Sequence, residues 1–139
     1  MNTSFHLLRD PGQKREDEKS ETAIEDATKK NTSGPEKYVL CRQCTQLITT
    51  SNEKISVHGS HCHTFANPHG MVFDIGCFRS VIDCGYAGSP SDEFVWFKGF
   101  SWRIAVCGMC LTHLGWLFIS GGGDNFHGLI LNRIVETST

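Results

Sequence analysis

Apolar side chains are scarce over the first 37 residues and then recur in short runs separated by turn residues. After Tyr38 the dominant period is two, the spacing of strands with one buried face. Tyr38-Val39-Leu40 opens the series, and Thr45 to Thr50 follows as a β-branched run. Asn67-Pro68-His69-Gly70 carries strong turn chemistry and leads into Met71-Val72-Phe73-Asp74-Ile75. Ala87-Gly88-Ser89-Pro90 reads as a loop. Phe94 to Phe97, a Lys98-Gly99 turn and Phe100 to Val106 then predict a hairpin. In its second arm Trp102, Ile104 and Val106 share one face, while Arg103 and Ala105 lie on the other. His113 to Ile119 is a further strand with Trp116 and Phe118 on one face. Ser120 to Asp124 is a flexible turn, and Phe126 to Leu131 is the closing strand. The pattern predicts an all-β domain with no helix and no internal repeat.

Residues 1–37 differ in kind. They hold 7 Lys/Arg and 8 Asp/Glu but one aromatic residue, Phe5, whereas residues 38–139 hold 13 of the 14 aromatics. A segment with so little apolar surface cannot offset its chain entropy, so it is expected to be disordered. Oppositely charged residues three or four apart allow a weak helix across Glu16 to Lys30, without an apolar stripe to dock it. One domain plus a disordered segment is therefore expected: a disordered polar N-terminal segment over 1–37 and a β domain over 38–139. Net charge is −2 and the basic residues do not cluster, which argues against a nucleic-acid binder working through phosphates. No stretch is long and apolar enough to span a bilayer, and no export signal is present. The expected state is a monomer in the cytoplasm, with the nucleus also open to it, and no membrane partner.

The chain has seven cysteines. Cys41-Arg42-Gln43-Cys44 and Cys107-Gly108-Met109-Cys110 are knuckles, each able to aim two sulfurs at one point. Four thiolates match tetrahedral zinc, and a closed four-ligand set makes the metal structural. The knuckles stand 62 residues apart, so one zinc closes a large loop within the β fold. Gly108 fits a knuckle position that needs a positive φ. Cys62, Cys77 and Cys84 read as small buried or free thiols, with an oxidised Cys77–Cys84 pair the minor alternative. His58, His61, Cys62 and His63 could offer a second metal site, but a surface loop is the favoured account.

Trp96, Trp102 and Trp116 fall within 21 residues, each flanked by another aromatic or a glycine. Hydrophobic core is the ordinary role for tryptophan. Three indoles on neighbouring strands can also form a box, open to solvent, for a flat or cationic ligand.

Several motifs, in order, are similar to the CULT domain, the thalidomide-binding domain of cereblon. They are Asn67-Pro68-His69-Gly70, the run from Gly88 to Trp102, Cys107-Gly108-Met109-Cys110 and His113-Leu114-Gly115-Trp116. The resemblance runs from about Tyr38 to Ile134. It implies a β-tent: two antiparallel sheets set at a steep angle and pinned by zinc on Cys41, Cys44, Cys107 and Cys110. It also implies that Trp96, Trp102 and Trp116 wall a cage for a glutarimide or related cyclic imide. The backbone of Phe94 and Trp96 would hydrogen-bond the imide, with the Trp102 indole N–H as a further donor. Phe118 matches the aromatic floor and Asn67 a polar residue at the rim. Phe94 stands where cereblon has histidine, so any imidazole contribution is absent. The 37-residue head is too short to supply cereblon's domain for docking a ubiquitin-ligase adaptor.

The expected function is a non-enzymatic binding module for cyclic imides. Thalidomide-type ligands, degrons made by cyclised protein C-termini, or uracil-like metabolites would be its partners. One alternative is a zinc-ribbon-like protein-interaction domain without a small ligand. Another is a methionine sulfoxide reductase of the B type, but the closing strand from Phe126 to Leu131 carries no cysteine for that chemistry.

Overall fold

A computed structural model of the chain describes residues 24–25 and 35–138. The strands are β1 (Ile24–Glu25), β2 (Lys37–Cys41), β3 (Leu47–Thr50), β4 (Ser56–Val57), β5 (Cys62–Ala66) and β6 (Val72–Phe78). They continue with β7 (Cys84–Ser91), β8 (Phe100–Cys107), β9 (His113–Ser120), β10 (Asn125–Ile130) and β11 (Ile134–Ser138). Helical turns among the described residues are limited to two 3-10 turns, Ser51–Glu53 and Leu131–Arg133, so none is long and apolar enough to cross a membrane.

All ladders are antiparallel. A six-stranded sheet runs β5-β6-β10-β9-β8-β7 and a three-stranded sheet runs β11-β2-β3. The all-β domain expected from the pattern, and the two antiparallel sheets implied by the resemblance, are present. Most of residues 1–37, including most of the helix considered across Glu16 to Lys30, lies outside the described residues. Ile24–Glu25 is extended and pairs with Ser56–Val57.

Two readings need correction. Phe94 to Phe97 is not the first arm of a hairpin; that arm is β7, whose Tyr86 and Ala87 lie opposite Ala105 and Ile104. Ala87 to Pro90, read as a loop, belongs to this strand, and a bulge there absorbs Gly88 at φ 79°. Phe94 turns the chain at φ 52°, and Trp96 and Phe97 then drop into the core with 5% and 2% exposure. Burial of two large rings outweighs the local strand pattern.

The core has two parts. Val39, Ile48, Phe78, Leu114, Leu129 and Ile134 join the two sheets around Cys41 and Cys107. On the other face of the large sheet, Ile55, Ile75, Phe97, Phe118 and Phe126 pack with Trp96 and Trp116. The alternation expected in the Phe100–Val106 arm holds for Trp102 and Ile104, which pack against this aromatic cluster, and is interrupted before Val106 by a register shift. Gly115 is what lets β9 and β10 close up: a Cβ there would sit 1.9 Å from the Gly128 carbonyl oxygen.

On the opposite face Tyr86 of β7 reaches across two strands, its hydroxyl 2.7 Å from His127 Nε2 on β10. His127 is buried and its Nδ1 has no hydrogen-bonded partner. Burial pushes this imidazole down to about 4, and the nearby Arg79 backbone only partly opposes that.

Two expectations follow. Gly115→Ala should cost about 3 kcal/mol or more in urea denaturation, because backbone has to move. Gly121→Ala meets open space and should stay within about 0.5 kcal/mol. Because the folded value of His127 lies below its unfolded one, its contribution is complete above about pH 6.5 and disappears towards pH 4. Across that window the zinc-loaded wild type should lose about 3 kcal/mol more than His127→Gln, whose amide does not titrate.

Candidate functional site

The metal centre is built by two equivalent turns. In the first, Cys41 N–H donates to the Gln46 carbonyl at 2.8 Å and Thr45 N–H to the Cys41 carbonyl at 2.8 Å. In the second, Cys107 N–H donates to the Thr112 carbonyl at 2.8 Å and Leu111 N–H to the Cys107 carbonyl at 2.9 Å. The left-handed residue in each is the one after the second cysteine, Thr45 at φ 67° and Leu111 at φ 65°.

Gly108 is therefore not there for a positive φ. Its N–H donates to the Asp83 carbonyl at 2.7 Å, and a Cβ on it would lie 2.6 Å from that oxygen. Close backbone approach is the requirement. Gln46 Nε2 donates to Asp83 Oδ2 at 2.6 Å, so Asp83 joins both knuckles from outside the sulfur set.

Cys41 and Cys110 sulfurs lie 3.7 Å apart, Cys44 and Cys107 sulfurs 3.6 Å apart, and all four within 4.8 Å of one another. A tetrahedron with Zn–S bonds of about 2.3 Å has edges of about 3.8 Å, so the set fits zinc. The Thr112 hydroxyl and N–H lower Cys110, whereas burial raises Cys41, so the sulfurs influence one another's ionisation. Met109 N–H donates to the Cys107 sulfur at 3.3 Å. The remaining cysteines are free thiols outside the four-sulfur set, although Cys84 lies opposite Cys107 in the β7–β8 ladder, and no disulfide forms among the described residues. Burial raises Cys77, and burial with neighbouring negative groups pushes Cys84 up to about 12. His113 is not a ligand: its Nε2 donates to the Gly115 carbonyl at 3.0 Å. The imidazoles of His61 and His63 likewise bind backbone carbonyls, and no second metal cluster occurs among the described residues.

The six residues singled out around the tryptophans converge on one pocket. Asn67, Phe94, Trp96, Trp102, Trp116 and Phe118, with Pro68, line a small cavity of about 50 Å³. Trp96 and Trp116 meet edge to face at 4.6 Å and 69°. Phe118 is 1% exposed and packs on Phe97 at 4.9 Å. Trp116 is 8% exposed and Trp102 half-buried, so the box is less open than three free indoles would be. The Trp102 indole N–H donates to the Glu93 carbonyl at 2.8 Å, which fixes the ring but engages that donor. Trp96 Nε1 donates to the Ala66 carbonyl at 3.3 Å. Asn67 Oδ1 accepts from His69 and Met71 N–H at 2.9 Å each, closing the turn that forms the rim.

Sequence reasoning missed a second aromatic layer. Phe65 stacks on Trp96 at 4.8 Å and 11°, and Phe73 meets Trp116 edge-on at 5.3 Å. Phe65 sits in a Cys-His-Thr-Phe run whose polar content concealed it. Phe73 lay in a run read as a strand without a destination.

The chain is 39% identical over 110 residues to cereblon of Gallus gallus, covering 70% of this chain and 24% of that protein. It is 33% identical over 106 residues to cereblon of Danio rerio (71% and 24%) and 33% over 93 residues to that of Drosophila melanogaster (64% and 16%). The β domain is a cereblon-like CULT domain. The chain spans about a quarter or less of the length of these relatives. No protein-family model matches it. Among solved structures, the crystal structure of the Mis18 'Yippee-like' domain superposes with a TM-score of 0.50 at 12% identity, covering 75% of this chain and 97% of that one. That likeness concerns the fold alone. The CULT domain here thus combines a four-cysteine zinc centre with an aromatic pocket on strands that leave the second knuckle.

Chelation should unfold the domain, because the metal ties segments that local packing does not. Cys41→Ser should yield an unfolded, metal-free chain by circular dichroism and metal analysis. Asp83→Ala should stay folded with zinc and lose about ten- to a hundredfold in zinc affinity in a competition assay.

Proposed function

We propose that this CULT domain is a non-catalytic receptor for glutarimide-type cyclic imides. The observation that carries the reading is the convergence of three indoles, the Phe118 ring and the Asn67 rim on one apolar pocket. Homology to cereblon over most of the β domain supports it.

A glutarimide has an apolar CH2–CH2 edge and a polar edge of two carbonyls flanking an N–H. The apolar edge would pack among Trp96, Trp102 and Trp116 above Phe118. The polar edge would meet the backbone of Phe94 and Trp96, the imide N–H donating to a carbonyl and an imide oxygen accepting from an N–H. Phe94 holds a left-handed conformation at this point, a strain typical of backbone aimed at a ligand. With the Trp102 N–H spent on Glu93, the indole acts as a wall. With Asn67 Oδ1 spent on the turn, the Asn67 amide N–H2 is the group left for a ligand oxygen. Protein C-termini cyclised at Asn or Gln carry this edge, as do thalidomide-type compounds and, in part, uracil-like rings.

A tryptophan-fluorescence titration with glutarimide and N-methylglutarimide tests the reading. Saturable binding of the first is expected, with the N-methyl analogue weaker by about tenfold or more because a backbone carbonyl is left unpaired. Trp102→Ala and Trp116→Ala should each abolish binding while retaining one zinc. Binding that persisted in both variants would overturn the pocket assignment. A zinc-loaded wild type that ignored both compounds would leave a protein-interaction domain whose aromatic box is closed.

A further inference from the structure

The six-stranded sheet is incomplete at one corner. β6 pairs with β5 from Val72, opposite Ala66, onward, but β10 pairs only with Ile75 to Phe78. Beyond Ile130 the chain leaves this sheet, turns at Leu131–Arg133 and joins the three-stranded sheet as β11. The gap it leaves is a groove of about 430 Å³ between residues 71–74 and 130–133. One edge of that groove is backbone. The Met71 carbonyl accepts from Asn67 N–H at 2.9 Å and Cys77 N–H donates to the His61 carbonyl at 3.0 Å, both towards β5. Peptide groups alternate edges along a strand, so Val72 and Asp74 turn their N–H and C=O to the groove. Among the described residues no backbone hydrogen bond meets them on that edge.

A bare backbone edge is complemented by another backbone. The flanking side chains say of what kind. Met71 and Val72 are apolar and exposed, at 53% and 65%. Phe73 lines the groove and also touches two pocket walls, Trp116 at 5.3 Å and Trp96 at 6.2 Å between ring centroids. One ring thus separates groove from pocket, a span that roughly two extended residues cover at about 3.3 Å each. On the other flank Arg133 holds its guanidinium 5.8 Å from the Phe73 centroid and donates from Nη1 to the His113 carbonyl at 2.9 Å. Arg42 brings a second guanidinium, its Nη1 3.5 Å from the Asn132 carbonyl. Asp74 is the carboxylate in the lining, and the Thr64 hydroxyl donates to its Oδ1 at 2.6 Å. Two cations against one tethered carboxylate favour an acidic side chain in the groove.

We propose that this groove is a strand-addition site for the polypeptide that carries the imide. Residues preceding a cyclised C-terminal Asn or Gln pair with the backbone of Val72 and Asp74, and an acidic side chain among them meets Arg133. The proposal rests on the imide-binding reading. The pocket then selects the cyclised end, and the groove selects among polypeptides that bear one. Backbone pairing tolerates many sequences, while Arg133 and Arg42 bias the choice towards acidic ones. A free imide ring uses the pocket alone.

The test compares glutarimide with short peptides ending in cyclised Gln, on zinc-loaded wild type and Arg133→Gln. One peptide carries Glu upstream, a second carries Lys there, and a third repeats the first with its upstream amides N-methylated. Tryptophan fluorescence gives the affinities, and amide hydrogen exchange reads Val72 and Asp74 directly. The Glu peptide should bind wild type about tenfold or more tighter than glutarimide and slow exchange at both amides, which glutarimide leaves unchanged. N-methylation should remove most of that gain. Arg133→Gln should erase the preference for Glu over Lys and leave glutarimide affinity as it was. A Glu peptide no tighter than glutarimide, or one indifferent to N-methylation, would overturn the proposal. Protection that rises with protein concentration in peptide-free samples would assign the groove to a second copy of the chain and overturn it too. Should no imide bind wild type, the pocket reading fails on its own. The groove is then judged with the Glu peptide ending in an ordinary carboxamide: saturable protection of Val72 and Asp74 upholds strand addition, and its absence refutes it.

Discussion

Four cysteine sulfurs within 4.8 Å of one another are the constraint on which everything else depends. Cys41 ends β2 of the three-stranded sheet, while Cys107 ends β8 and Cys110 precedes β9 of the six-stranded one. Zinc at this point therefore bolts the two sheets together across a chain separation that costs loop entropy. Metal binding is worth about 10–16 kcal/mol in small zinc domains, as much as the net stability of most domains. The apolar packing of Val39, Ile48, Leu114 and Leu129 around the sulfurs keeps water out and gives the bolt a rigid seat. Asp83 extends that seat by holding Gly108 and Gln46 from the strand entry of β7.

The pocket takes its order from this seat. Past a register shift beside the knuckle, β8 and β9 pair with Ile104 opposite Trp116 and Trp102 opposite Phe118, so three aromatic lining groups are set by one ladder. Trp96 comes from an irregular loop and needs separate fixing. Its indole is hydrogen-bonded to Ala66 and flanked by Phe65, and its neighbour Phe97 is packed among Phe118 and Phe126. Walls held this way lose little freedom when a ligand enters, which lowers the entropic cost of binding.

Much of this was legible in the chain itself. Period-two alternation marked β8, β9 and β10 with their faces, because each strand presents one side to a core and the pattern is local. Two C-x2-C pairs announced zinc, because sulfur spacing and metal geometry are linked without reference to the rest of the fold. The motif order around Trp96, Trp102 and Trp116 brought the six pocket residues together before any coordinate did.

What the sequence could not decide depends on distant segments meeting. Phe94 to Phe97 alternates like a strand, yet folds as a loop because the core offers two large rings a better place than a sheet edge does. Gly108 looks like a turn glycine, yet its role is set by Asp83 arriving from another strand. Phe65 carries no signal in its own run; it backs Trp96 only because β5 lies behind the loop that bears Trp96. The sequence by itself determined the metal and the strands that alternate plainly, since those follow from side-chain chemistry at short range, while the pocket walls were named by resemblance to the CULT domain. Tertiary structure alone decided how the walls are backed and which hydrogen-bond donors remain for a ligand, since those follow from which surfaces come within a few ångströms of each other.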